Sequence, residues 1–224
     1  MRVIQTICWS LVVHPDKNVL VLITGSNRGL GRELYLKFSE SFEVLGLNRS
    51  QSEAADIRIN LAEQEIDLQK ISALLPLYKK TIFINNASTI NPIKPIAEIT
   101  FSEIDEAIRV NFTNPAKIIK TIVSDSNCFS IINITSGAAF TKNEALALYS
   151  ASKAAMHRFI DVLEKENEKN SNCMMVVNYD PGRMQTDMQA NLLREKNIAL
   201  DIVSGFTPPK DVANEIFNLV NRKI

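Results

Sequence analysis

The chain has 224 residues, 46% hydrophobic and 22% charged, the balance of one globular domain with a sizeable core. Twenty-five basic residues offset twenty-five acidic ones, so neither a nucleic-acid-binding nor a membrane-binding charge pattern is present. Three scattered cysteines (Cys8, Cys128, Cys173) without CxxC spacing exclude a disulfide framework and predict a reducing, cytoplasmic setting.

MRVIQTICWSLVVHPDK, at the start, is too short for a membrane span and lacks a small-residue cleavage site, so residues 1–18 are predicted as an arm or appended strand. Residues 19–224 form the expected domain. VLVLIT (19–24) reads as a buried strand and GLGRELYLKFSE (29–40) as a helix. Strands follow at FEVLGLN (42–48) and DIRINL (56–61), then a helix at 66–78. TIFINNAS (81–88) is a strand, 101–126 one long helical segment with Ser102 and Asp105 in its first turn, and CFSIINITS (128–136) a strand. Residues 149–170 read as a helix, CMMVVNYDPG (173–182) as a strand, and 211–224 as the closing helix. Six short runs, each apolar on both faces and each leading into helical pattern, predict an α/β fold: a single-domain, doubly wound parallel sheet of about six strands, helices on both faces. Ligands of such folds sit outside the carboxyl ends of the strands.

The polar residues at those ends form a series. TGSNRGLG (24–31) follows the first strand and opens a helix. Its glycines, Gly25, Gly29 and Gly31, permit a tight turn and close approach of a phosphate to the helix N-terminus. The spacing is not the usual G-x-G-x-x-G, and there is no P-loop lysine. NNAS (85–88), ITS (134–136) and DPGRMQTDM (180–188) follow later strands. YSASK (149–153) puts Tyr149 and Lys153 one helical turn apart on one face, with small residues between. His157 lies on the same helix without a metal-ligating partner, and no metal site is expected.

Together these stretches resemble the short-chain dehydrogenase/reductase family, with its TGxxxGxG, NNAG, mid-helix Asn, Ser, YxxxK and PGxxxT in that order, over roughly residues 19–190. The resemblance implies a Rossmann-type domain and an oxidoreductase acting on a carbonyl or alcohol substrate. Tyr149 would be the general acid/base, Ser136 a donor to the substrate oxygen, Lys153 a tuning group that also holds the nicotinamide ribose, and Asn111 the holder of a relay water. A nearby ammonium is expected to lower the tyrosine pKa from its ordinary value near 10. Cofactor contacts are expected from Gly25, Ser26, Asn27, Arg28, Gly29, Leu30 and Gly31, and from Asn86, Ala87 and Ser88. Asn60 and Leu61 would border the adenine, and Pro181, Gly182 and Thr186 the nicotinamide. The second strand ends on Asn48 and Arg49 where NAD users place an acid; with Arg28 this predicts NADP(H) rather than NAD(H).

Departures from the family pattern are Ser88 in place of Gly and the absence of a seventh strand after the last helix. A link through HPDKN (14–18) could carry the arm to that vacant edge. Residues 183–206 read as a short mobile lid, with Arg183 either facing solvent or attracting a substrate carboxylate or phosphate or the cofactor pyrophosphate. A homodimer is expected through 101–126 and 149–170. A non-catalytic NADP-binding sensor is the competing reading, and four intact catalytic positions weigh against it. A nucleotide-sugar epimerase or dehydratase would need TGxxGxxG and a longer substrate domain.

Overall fold

The computed structural model describes residues 16–50, 57–196 and 205–223. Its six strands are β1 (Asp16–Thr24), β2 (Phe42–Asn48), β3 (Ile57–Arg58), β4 (Lys80–Asn85), β5 (Phe129–Ile134) and β6 (Cys173–Tyr179). They form one sheet of order β3-β2-β1-β4-β5-β6, every pair parallel. All carboxyl ends therefore share one edge, as the alternating pattern predicts.

Alternation along the strands builds two cores. Val19, Val21 and Ile23 of β1, with Ile82, Ile84, Ile132 and Ile134, face α1 (Gly29–Ser39) and α7 (Pro209–Asn221). Leu20 and Leu22, with Phe83, Phe129 and Ile131, face α2 (Gln69–Leu74), α4 (Asn114–Asp125) and α5 (Ala147–Asn167). Both faces of a central strand are thus apolar, which is why these runs lack the polar alternation of a half-exposed strand.

Several elements differ from their predicted extents. β1 starts at Asp16, whose backbone N–H donates to the Ser41 carbonyl at 2.8 Å, so residues 16–18 run beside β2 and not across to a vacant edge. The remainder of the arm, residues 1–15, lies outside the described residues. β3 shrinks to two residues paired with Leu47 and Asn48. The 66–78 helix is α2 followed by a 3₁₀ turn at Leu75–Leu77, where Pro76 cannot continue α-helical bonding.

The long segment 101–126 is not one regular helix. α3 (Phe101–Ile108) passes through a π-helical turn, Arg109–Thr113, into α4. Pro115 supplies no N–H to the carbonyl four residues earlier, that of Asn111, and its ring would clash there in a regular helix; a wider turn relieves both. α3 is capped by Thr100, whose hydroxyl accepts from the Glu103 N–H at 3.3 Å while Glu103 accepts from the Thr100 N–H at 2.8 Å. The described part of the segment after β6 contains α6 (Asp187–Glu195), and its two ends are joined by Thr207 N–H to Arg183 O and Gln185 N–H to Thr207 O, each 3.0 Å. Residues 197–204 of it lie outside the described residues. Among the described residues the sheet ends at β6, in keeping with six strands, and no helix is long and apolar enough to cross a membrane.

Candidate active site

The turn after β1 is the tightest part of the strand-end edge. Buried Thr24 accepts the N–H groups of Asn86 and Ala87 on its Oγ1 at 2.9 and 3.0 Å, and the Asn86 amide donates to the carbonyls of Thr24 and Gly25 at 2.9 and 3.3 Å. The end of β4 is thereby locked to the glycine loop. Gly25 has φ +71°, where a side chain is strained, and a Cβ on Gly31 would stand 2.0 Å from the Gly25 carbonyl oxygen. α1 begins at Gly29 with Arg28 as N-cap; no side chain caps it, and no acid lies in its first turn. Among the described residues no carboxylate caps its terminal N–H groups at the positive end of its dipole, the condition for receiving a phosphate. The loop thus fits a dinucleotide.

Around this loop the predicted contacts separate. Asn48 is buried and turned inward: its Oδ1 accepts the Ser26 N–H at 2.9 Å and its Nδ2 donates to Ser26 Oγ at 2.8 Å, so it braces the loop. Asn27 reaches the Ser50 carbonyl at 3.3 Å, while Leu30 packs into the core. Arg28 and Arg49 are both exposed on this side. Asn60 turns its Oδ1 to the Ala62 N–H at 3.2 Å, and the Leu61 carbonyl accepts from Asn114, an anchor the sequence reading passed over, at 2.9 Å. Ser88 is half-buried. Thr186 comes to the loop from the far side, its methyl 3.8 Å from where a Gly29 Cβ would lie, and its Oγ1 caps α6 by accepting the Gln189 N–H at 3.3 Å. Pro181 and Gly182 precede it, Gly182 at φ +67°.

Ser136, Tyr149, Lys153 and Asn111 converge from β5, α5 and the π turn. The Ser136 hydroxyl lies close enough to the Tyr149 phenol to lower its pKa, and it accepts the Ala138 N–H at 3.2 Å. Lys153 is 5% exposed; its Nζ donates to the Ile134 carbonyl at 2.8 Å and stands 5.9 Å from the Tyr149 ring centroid. Asn111 spends its side chain on structure: Oδ1 accepts the Thr89 N–H at 2.8 Å, and Nδ2 donates to the Thr89 carbonyl and Ser152 Oγ, both at 2.9 Å. Ser152 in turn donates to the Tyr149 carbonyl at 3.0 Å. Ser152 is therefore more than a small filler between Tyr149 and Lys153, since it ties the π turn to α5.

The expected lowering of the tyrosine pKa is corrected here. Burial pushes the Tyr149 phenol above its ordinary value; the nearby Ser136 hydroxyl pulls it down and the Asp180 carboxylate pushes it up. The Lys153 ammonium is pushed down to about 8, chiefly by burial, with Asp180 opposing. Desolvation is thus the largest influence on both groups. Asp180, quoted within DPG, was given no role by the sequence reading, nor was Thr24, although both stand at strand ends where ligand-facing residues concentrate. His157 has the structural setting expected of it, with Nδ1 3.2 Å from Thr135 Oγ1 and its ring edge-on to Phe140 at 4.6 Å. Arg183 is exposed, its guanidinium 5.8 Å from the Phe206 ring centroid. Among the described residues no cluster could hold a metal ion.

The sequence profile of the short chain dehydrogenase family matches residues 19–197. The benzil reductase ((S)-benzoin forming) of Bacillus subtilis (strain 168) is 30% identical over 186 residues, 76% of each chain. Among solved structures, the aldohexose dehydrogenase of Thermoplasma acidophilum superposes with a TM-score of 0.75 at 18% identity, over 89% of this chain and 86% of that one. A short chain dehydrogenase from Shigella flexneri 2a str. 301, complexed with NADP, gives a TM-score of 0.73 at 16% identity and 89% coverage of both chains. The chain therefore belongs to the short-chain dehydrogenase/reductase family, oxidoreductases that bind nicotinamide cofactors.

Proposed function

We propose that the protein is an NADP(H)-dependent carbonyl reductase, or the reverse alcohol dehydrogenase, with Tyr149 as its general acid/base. The observation that carries this reading is the meeting of Ser136 and Tyr149 with buried Lys153 at the strand ends beside an uncapped glycine-loop helix. A bound nicotinamide would supply the hydride for reduction, or take it up in the reverse direction. Ser136 donates to the substrate oxygen as charge gathers on it, and Tyr149 delivers its proton to the same oxygen. A raised phenol pKa keeps that proton in place at neutral pH. Lys153 has three donor positions and commits one to Ile134, leaving two for a ribose. With the Asn111 side chain occupied, its carbonyl, deprived of the usual helical donor by Pro115, is the group to hold a relay water. Thr186 keeps its hydroxyl proton for a carboxamide. Exposed Arg28 and Arg49, with Asn48 turned away, suit a 2′-phosphate.

The benzil reductase relative favours a carbonyl compound as substrate, and the NADP-complexed neighbour is in keeping with the cofactor assignment. For assembly, an apolar groove lined by Phe112 and Ala116 on the α4 side, with half-exposed Val162 on α5, favours a homodimer through these helices. The cytoplasmic assignment rests on the free thiols of Cys128 and Cys173. Isothermal titration with NADPH and NADH, alongside carbonyl turnover by wild type and Tyr149→Phe, tests the central reading. NADPH should bind at least about tenfold tighter, since a charge-assisted contact to a group absent from NADH discriminates fully. Tyr149→Phe should retain binding and lose turnover. Equal affinities would reject the 2′-phosphate assignment; an active Tyr149→Phe would reject the acid/base role.

A further inference from the structure

We infer that Asp180 is a specificity-determining residue whose carboxylate makes the site disfavour anionic carbonyl compounds and favour neutral or ammonium-bearing ones. This rests on the proposed reaction, whose centre it borders. Asp180 directly follows β6. The Gly182 N–H donates to its Oδ1 at 3.0 Å and so holds the carboxylate in place. The other oxygen stands 3.7 Å from the position a Cβ on Gly137 would take, against the turn that begins at Ser136. The carboxylate therefore lies between the Ser136 turn and the ProGly turn, exposed beside the proposed centre.

Among the described residues Asp180 forms no ion pair. Lys153 lies deeper, almost wholly buried, with one donor taken by Ile134, whereas Asp180 is exposed, so an incoming group meets the carboxylate first. Arg183, the cation nearest in sequence, turns to Phe206. The charged groups bearing on Tyr149 are Asp180 from the β6 end and Lys153 from its own helix, Ser136 being neutral. The field of Asp180 reaches both, raising the Tyr149 and Lys153 pKa values together. A carboxylate on a substrate would enter the same field. Two like charges a few ångströms apart at a partly solvated site cost on the order of tenfold in affinity.

The test compares an aryl α-keto acid, its methyl ester and the corresponding aryl aminomethyl ketone on wild type, Asp180→Asn and Asp180→Glu. Asn keeps an oxygen for the Gly182 N–H, so the turn is preserved. The acid-to-ester ratio of kcat/KM should rise about tenfold in Asp180→Asn and the amine-to-ester ratio should fall; Asp180→Glu should keep the wild-type order. Unchanged ratios overturn the inference. If Arg183→Ala, rather than Asp180→Asn, moves the acid-to-ester ratio, Arg183 is the selecting charge and the inference also fails. A second measurement needs no turnover: tyrosinate absorbance of the free protein, each background subtracted from its Tyr149→Phe counterpart. Asp180→Asn should lower the Tyr149 midpoint by several tenths of a pH unit. An unmoved midpoint overturns the inference even if no carbonyl is reduced. Failure of wild type to reduce any of the three, with a shifted midpoint, rejects the reductase reading while sustaining the reach of Asp180.

Discussion

At the residue scale, the centre holds a cation against a desolvation penalty. Lys153 has an ordinary pKa of 10.5 and a folded value of about 8. Between those values the unfolded chain binds the extra proton, so stability rises with pH across that window. At neutral pH the buried ammonium costs the fold up to about 3 kcal/mol. Lys153→Met should therefore be more stable than wild type near neutrality, and the gap should close as pH approaches 10.5. Urea unfolding of both proteins across this range measures it; a pH-independent gap would mean that Lys153 is not held at a lowered pKa. The same variant should bind NADP(H) poorly, because it lacks the remaining donors. Stability is thus sacrificed for an ammonium at the proposed reaction centre, a trade common to functional sites.

At the element scale, α5 carries both Tyr149 and Lys153, so its seat on the sheet sets the geometry. A ladder of amides provides that seat. Asn85, Asn133 and Asn178 are in register on β4, β5 and β6, joined by Asn85 Nδ2 to Asn133 Oδ1 at 2.9 Å and Asn133 Nδ2 to Asn178 Oδ1 at 2.7 Å. Asn178 then donates to the His157 carbonyl at 3.0 Å and Asp161 Oδ1 at 2.9 Å on α5. Asn133→Leu would leave an Asn85 donor and an Asn178 acceptor unpaired inside the core, costing about 2–4 kcal/mol. Thermal or urea unfolding reads this loss. A neutral result would mean that the ladder is replaceable by packing alone. The π turn is the second positioning element: Pro115 displaces the helix, and Asn111 ties it to α5 through Ser152.

At the scale of the whole molecule, the two cores make α1 and α7 one layer. Phe38 is fully buried, edge-on to Phe217 at a centroid distance of 5.2 Å, with Phe42 6.1 Å from each. Phe38→Ala should cost about 3–5 kcal/mol, read as a lowered denaturant midpoint at constant m. Because α1 begins at the glycine loop, cofactor affinity should weaken in the same variant. A loss below about 1 kcal/mol would show that the layer closes over the cavity.

The sequence alone determined the fold class and pointed to most residues of the proposed site, because both readings follow local rules. Runs such as VLVLIT must bury two faces, and the glycine spacing and the Tyr149–Lys153 turn are set by backbone geometry within a few residues. Tertiary structure alone decided what depends on distant partners. The 101–126 helix broke at a proline visible in the sequence, but the bonds of Asn111 to Thr89 and Ser152 cross 22 and 41 residues. Asn48 turned inward to Ser26 rather than outward to a ribose. Tyr149 moved up in pKa and not down, since burial and Asp180 act through space and no spacing rule reports them.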